Sequence, residues 1–407
     1  MFEKSFPASA LALLIAATTA AAQNEDAPAR TDWLSFAQGV LPIAIDTGGA
    51  NLRTGMTEAI AMIDGNPIGF VATPRPGSAA DRVAITFALP APTRFDRLAV
   101  PNVAETPSPL QTFFRDIAVF GATDPAGPWT LLAQGRLTPH ETRGEQSELT
   151  LTADRPEVTL VQVQLRDGMD VQRDATFFEF SEIIGNGTQQ AAPLATGFSG
   201  VWKGRGVDIE LAQQGATVSG CYDKLSPLSG TVEGNVLRAI GTSEAGIASQ
   251  FILVTDETGA LRGLRSTNGA PFKLYDGEVS GAGPRCTAPE PPRLGCGAIV
   301  HGIGFDFDSD VLRPSSAPVL EALHAGLSGE TAAQIRIVGH SSSEGAADYN
   351  LDLSQRRAAS VVRALVAMGL PASRLSASGR GEEVPIASNA DEAGRSLNRR
   401  VEIECAG

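Results

Sequence analysis

Histidine is scarce in this 407-residue chain: only His140, His301, His324 and His340 occur, and they are scattered. Counting alone therefore speaks against a histidine-rich metal site. Basic residues are also in deficit, 32 against 46 acidic, for a formal net charge of −14. Sequence-independent binding to DNA or RNA draws its affinity from cationic contacts to phosphate, so that class is disfavoured. An unaided basic anchor on anionic lipid is disfavoured for the same reason. There are four cysteines, none before Cys221, and no two are separated by two to four residues as zinc knuckles require. Beyond the N-terminus no apolar run approaches the roughly 20 residues of a membrane span. His340 precedes Ser341, Ser342 and Ser343, but the G-x-S-x-G nucleophile elbow is missing. Neighbours on a strand also point to opposite faces, so a non-catalytic, cofactor-free protein is expected. What remains is 43 % hydrophobic and 19 % charged, the make-up of globular protein, and long enough for two to four domains.

The first 22 residues, MFEKSFPASALALLIAATTAAA, combine one lysine, a short apolar stretch from Leu11 to Ala17 and small residues at Ala20–Ala22. That is the pattern of a secretory signal, so residues 1–22 are set apart from the fold. No cysteine follows, so no lipid anchor is indicated. The mature chain is expected to begin near Gln23, with a polar tail to residue 31.

From about 32 to 188 strand signals dominate. Val83, Ile85, Phe87 and Leu89 alternate as one face of a half-buried strand; Ile117 and Val119, then Val161, Val163 and Leu165, do likewise. Turn chemistry at Asp64-Gly65 and Asp124-Pro125-Ala126-Gly127 separates the segments, predicting a β-sandwich of about 150 residues. The stretches MIDGNP (62–67), RVAITFALPAPTRFDRLAV (82–100), FRDIAVFGATDPAGPWTLL (114–132) and FFEFSEIIGNG (177–187) resemble the discoidin-type, galactose-binding-like jelly roll. That resemblance implies glycan, lipid or protein binding through loops at one end, without the family's terminal disulfide. Phe114 and Trp129 are expected to pack in the core.

Residues 197–282 alternate short strands with glycine turns, and Val207, Ile209 and Leu211 share a face. An antiparallel meander or small barrel is expected, with 265–277 as a hairpin. A Pro-rich linker, 283–296, follows. In an exported chain Cys221, Cys286, Cys296 and Cys405 should be oxidised. Of three possible pairings, Cys221–Cys286 with Cys296–Cys405 keeps each bond inside one proposed domain.

From 297 to 407 strands alternate with helices. Strands are expected at 299–308, 335–340, 374–381 and 398–405, and helices over 314–327 and 354–368, giving an α+β domain. The second helix carries the apolar stripe Ala358, Val361, Val362, Leu365 and Val366 and ends at Gly369.

FDFDSDVL (305–312), IVGHSSSEG (337–345), YNLDLSQRRAASVVRALVAMG (349–369), ASGRGEEVPIASN (377–389) and GRSLNRRVEIE (394–404) together resemble the OmpA-like peptidoglycan-binding domain. The resemblance implies a periplasmic domain that grips the peptidoglycan stem peptide. A family arginine that pairs with the diaminopimelate carboxylate corresponds to Arg357, suited to it by its two-pronged guanidinium. The family aspartate that pairs with the diaminopimelate ammonium corresponds to Ser342, which cannot neutralise it. Glu344 or Asp348 is the candidate substitute. Ser341, Asn350 and Asp306 complete the candidate binding set, with Asp306 doubling as a turn former. Asn398, Arg399 and Arg400 match the family's closing NRR, and Arg399 and Arg400 are expected to serve structure or surface.

The chain thus reads as an exported, three-domain envelope protein that docks on the cell wall and presents two β modules. Two rival readings belong to other classes. In one, the Ser342 departure has turned the C-terminal domain into a protein-interaction module; in the other, the N-terminal domain is a glycan-binding lectin.

Overall fold

In the computed structural model the described residues are 30–46, 55–66, 70–72, 82–101, 111–137, 145–168, 177–223, 225–282, 286, 294–306 and 308–406. The expected signal peptide, most of the polar tail and most of the Pro-rich linker lie outside them.

The N-terminal unit is built on one 19-residue strand, Val83–Pro101. Its first half pairs with Leu41–Asp46 on one side and Val158–Gly168 on the other, in an antiparallel sheet that continues through Gln111–Ala122 and Thr130–Arg136. Its second half pairs instead with Ile184–Gln189 and Gln146–Glu148. The register shifts between Ala88 and Thr93, where Pro90 and Pro92 offer no N–H to a ladder. Two prolines thus let one strand serve two sets of partners. Val83, Ile85 and Phe87 are buried as their alternation predicts, but so are Ala84 and Thr86, so this stretch is covered on both faces rather than half-buried. Phe114 is in the core; Trp129, expected there too, is only half-buried and donates its indole N–H to the Pro125 carbonyl at 3.4 Å.

Residues 200–279 form a closed, eight-stranded antiparallel barrel, whose last strand, Lys273–Val279, pairs back onto its first, Gly200–Gly204. Its interior is filled rather than open. Tyr222, Phe251 and Tyr275 meet edge to face at 5.5 and 6.3 Å between ring centroids. Two polar tips are satisfied, Trp202 Nε1 donating to Gly259 O at 2.8 Å and Tyr275 Oη to Val207 O at 3.1 Å, whereas the buried Tyr222 hydroxyl has no hydrogen-bond partner among the described residues. Cys221 is bonded to Cys286, which fastens the segment after the barrel to its wall.

The C-terminal unit has a four-stranded sheet in the order Ile299–Val300, Val401–Ala406, Gln334–Gly339, Leu375–Gly379. Helices α1 (Ala317–Ser328) and α2 (Ala347–Ala367) share one apolar cluster with that sheet through Val319, Leu323, Ala358, Val361, Ile337 and Ile403. Cys296–Cys405 closes this unit; a loop of about 100 residues corresponds to roughly 4–5 kcal/mol in the chain-entropy account. Three expectations need correction. The 299–308 strand shrinks to two residues, because Gly302 turns left-handed (φ +79°) and a Phe305–Leu312 bridge closes a small loop instead. Helix α2 begins at Ala347, seven residues before the expected 354, with an N-cap, Ala346, that carries no capping side chain. A short helix α3, Glu392–Asn398, precedes the last strand, which therefore starts at 401 rather than 398.

The three units are welded, not strung on spacers. Ala387, Ala393 and Leu397 of the C-terminal unit and Val236, Ile252, Val254 and Leu264 of the barrel belong to the same apolar cluster as Leu34, Phe36 and Ile60. Around it Arg238 donates to Ala37 O at 2.6 Å, Gln250 Nε2 to Ile386 O at 2.5 Å, and Arg313 stacks 4.6 Å above the Trp33 ring. The Asp64-Gly65 turn fits against α3 because Gly65 has no side chain: a Cβ there would lie 2.7 Å from the Glu392 backbone nitrogen, and its φ of +82° already suits glycine.

Candidate functional site

The seam between the units opens into a cleft of about 890 Å³. Asp306, Ser341, Ser342, Asn350 and Arg357 all line it. Helix α2 supplies Asn350, Leu353 and Arg357, whose spacing of three and four residues puts them on one face. The turn after Gln334–Gly339 supplies the two serines, held by His340 N–H to Arg400 O at 3.0 Å and Ser341 N–H to Gly381 O at 2.9 Å.

Arg357 is the most exacting of these side chains. Its Nε donates to Ser309 O at 3.1 Å, and its guanidinium lies 5.0 Å from the Phe305 ring centroid. No carboxylate among the described residues comes within 4.0 Å of it. Burial first, then the Arg399 charge, pull Arg357 down to about 10, with Tyr349 opposing. A desolvated cation crowded by another cation favours an anionic ligand.

The serine side differs. Ser342 Oγ donates to Glu344 Oε2 at 3.2 Å. Glu344 is itself held by Arg395 and Arg399, each at 3.4 Å. Glu392 bridges the same two arginines, at 3.2 Å to Arg395 and in a close contact with Arg399. Burial pushes Glu392 up, but Arg399 and Arg395 more than offset that and hold it below its usual value. Ser341 Oγ is buried with no hydrogen-bond partner among the described residues. His340, its neighbour, instead places Nε2 3.7 Å from Glu402. Asn350 Nδ2 donates to Glu382 Oε2 at 2.6 Å. Asp306 closes its turn through N–H to Val311 O and stands 3.9 Å from Arg313, with a mostly exposed side chain. Asp348, named as a substitute for the missing aspartate, is exposed and does not line the cleft, whereas Glu344 does.

The closing NRR divides by role. Asn398 is fully buried and bonds Ile386, Ala387 and Asn389; Arg400 bonds Glu402 and Val384 O. Arg399, expected to be structural or superficial, faces the cleft. Arg97, Asn186, Glu233, Arg238 and Arg313 also reach it from outside the last sheet. In all, seven arginines, no lysine and seven carboxylates line the cleft, so its formal charges balance in a chain that is acidic as a whole. Those distant residues carry no local motif. Arg395 and Arg399 had one signal, their i, i+4 spacing beside an N-capping Asp391. At the barrel, Glu210 lies near Cys221 and Cys286, but the two sulfurs are bonded to each other and leave no thiolate for a metal.

Residues 304–399 match the sequence profile of the OmpA family. Outer membrane porin F of Pseudomonas fluorescens is 44 % identical over 100 residues, 25 % of this chain and 31 % of the porin. Outer membrane protein A of Bordetella avium is 42 % identical over 103 residues, 25 % of this chain and 53 % of the relative. A peptidoglycan-associated lipoprotein of Pseudomonas aeruginosa is 34 % identical over 100 residues, 25 % of this chain and 59 % of the lipoprotein. The chain thus spans less than two thirds of each relative. Its C-terminal unit is an OmpA family domain, and the N-terminal unit and the barrel lie outside the matched residues. No helix among the described residues is long and apolar enough to cross a membrane.

Proposed function

We propose that this is an exported, periplasmic protein that holds peptidoglycan noncovalently in the cleft, with Arg357 as the anchor for a stem-peptide carboxylate. The observation that carries the reading is Arg357 itself: half-buried over Phe305, without a carboxylate partner among the described residues, and lining a cleft large enough for a short peptide. The name of the peptidoglycan-associated relative supports the same class of ligand. The cleft walls contributed by the N-terminal unit and the barrel make the two β modules part of the receptor as well as its cargo. The rival protein-interaction reading draws support from Ser342, whose nearest acid, Glu344, is already matched by two arginines. Co-sedimentation of residues 23–407 with purified diaminopimelate-type sacculi separates the two. Retention that Arg357→Ala reduces at least tenfold is the expected result; no retention of the parent chain would leave the rival reading standing.

A further inference from the structure

The two sides of the cleft differ in what they still need. Arg357 has no anionic partner among the described residues, and the serine side lacks only a neutral hydrogen-bonding group. Ser341 is 6 % exposed and Ser342 5 %, and the Ser341 hydroxyl has no partner among the described residues. The acids beside them, Glu344 and Glu392, are each matched by Arg395 and Arg399. An ammonium placed there would bring three donors and a full charge to hydroxyls that neutralise nothing, next to two guanidiniums. An amide N–H brings one donor and no charge, which a serine oxygen accepts. Asp306 and Asp308 also line the cleft, and they are engaged with Arg313 and the Tyr349 hydroxyl.

We infer that the cleft selects an N-acylated α-amino carboxylate, its carboxylate on Arg357 and its amide N–H on Ser341 and Ser342, over a free ammonium–carboxylate zwitterion. This rests on the peptidoglycan reading above and narrows it. Two parts of a wall peptide have that chemistry: a diaminopimelate centre whose amine is acylated in a cross-link, and the terminal alanine carboxylate with its adjoining amide.

The test is calorimetric titration of residues 23–407 with three soluble probes. These are L-Ala-γ-D-Glu-meso-diaminopimelate, the same tripeptide acetylated on its distal amine, and N-acetyl-D-Ala-D-Ala. The expected result is at least tenfold tighter binding of an acylated probe than of the free-amine tripeptide. Whichever acylated probe binds tighter identifies the source. Ser342→Asp should reverse the preference, and if that variant does not fold, the ratio in the parent chain still decides. Equal or tighter binding of the free-amine tripeptide overturns this inference while leaving wall binding through Arg357 intact. No binding of any probe, together with no retention on sacculi, overturns both.

Discussion

Two sets of acids face each other across the seam. Asp32, Asp64 and Glu182 stand on the N-terminal side, Glu392 and Glu344 on the side of α3. In the first set burial dominates: it raises Asp32 and Asp64 to about 7 and Glu182 well above the carboxylate range, and their mutual repulsion adds to Glu182. Their hydrogen bonds come from backbone N–H groups, of Leu34 and Gly185 to Asp32, of Asn66 to Asp64 and of Gly65 to Glu182. In the second set burial is no less for Glu392, yet it is held below its usual value by Arg399 and Arg395. Proximity of a guanidinium, rather than depth, decides which acid keeps its charge.

The comparison breaks hardest at Glu392. Glu392→Ala leaves Arg395 and Arg399 facing each other in the seam with only Glu344 between them. A loss of about 2–3 kcal/mol is expected, less than the cost of stripping one partner from a fully buried ion pair because Arg395 and Arg399 keep 21 % and 30 % of their side chains exposed. Urea unfolding at pH 7 measures it, and a loss below 1 kcal/mol would mean the network is solvated in solution.

The unpaired acids predict a smaller effect with a definite sign. Asp32 binds its proton at higher pH folded than unfolded, so the folded chain carries extra protons between about pH 4 and 7. Its contribution is therefore lost as pH rises through about 7. In Asp32→Asn the amide oxygen still accepts from Leu34 and Gly185 but does not titrate. Relative to the parent, the variant should gain about 2 kcal/mol between pH 5 and pH 8, read from urea midpoints. Parallel pH profiles would refute the assignment of that slope to Asp32.

How much of this was legible depended on whether the signal was local. Glycine turns between alternating strands announced a meander or small barrel without deciding closure, and ordered motifs from FDFDSDVL to NRRVEIE announced the OmpA-like domain with Arg357, Ser342 and Asn350 in it. The start of α2 was not legible because Ala346 offers no capping oxygen. Helix α3 was missed because its apolar content is Ala393 and Leu397, and that pair is buried against another unit rather than its own sheet. The far wall of the cleft was illegible for a topological reason. Arg97 and Asn186 meet Arg313 and Arg399 only after three separately patterned units share one core.

A third pair sharpens the contrast from the exposed end. Arg336 and Glu404 stand directly opposite on adjacent strands of the C-terminal sheet, with their charges 3.3 Å apart. By distance alone they rival the Arg395–Glu344 contact at 3.4 Å. Their side chains, however, are 56 % and 44 % exposed, so water already solvates both charges and salt screens what attraction is left. Glu404→Gln should therefore change stability by no more than about 0.5 kcal/mol, and 1 M NaCl should shrink even that. A loss comparable to that of Glu392→Ala would show that distance and not solvation ranks these pairs, and the same result would remove the reason for treating the unneutralised Arg357 as a site for a ligand.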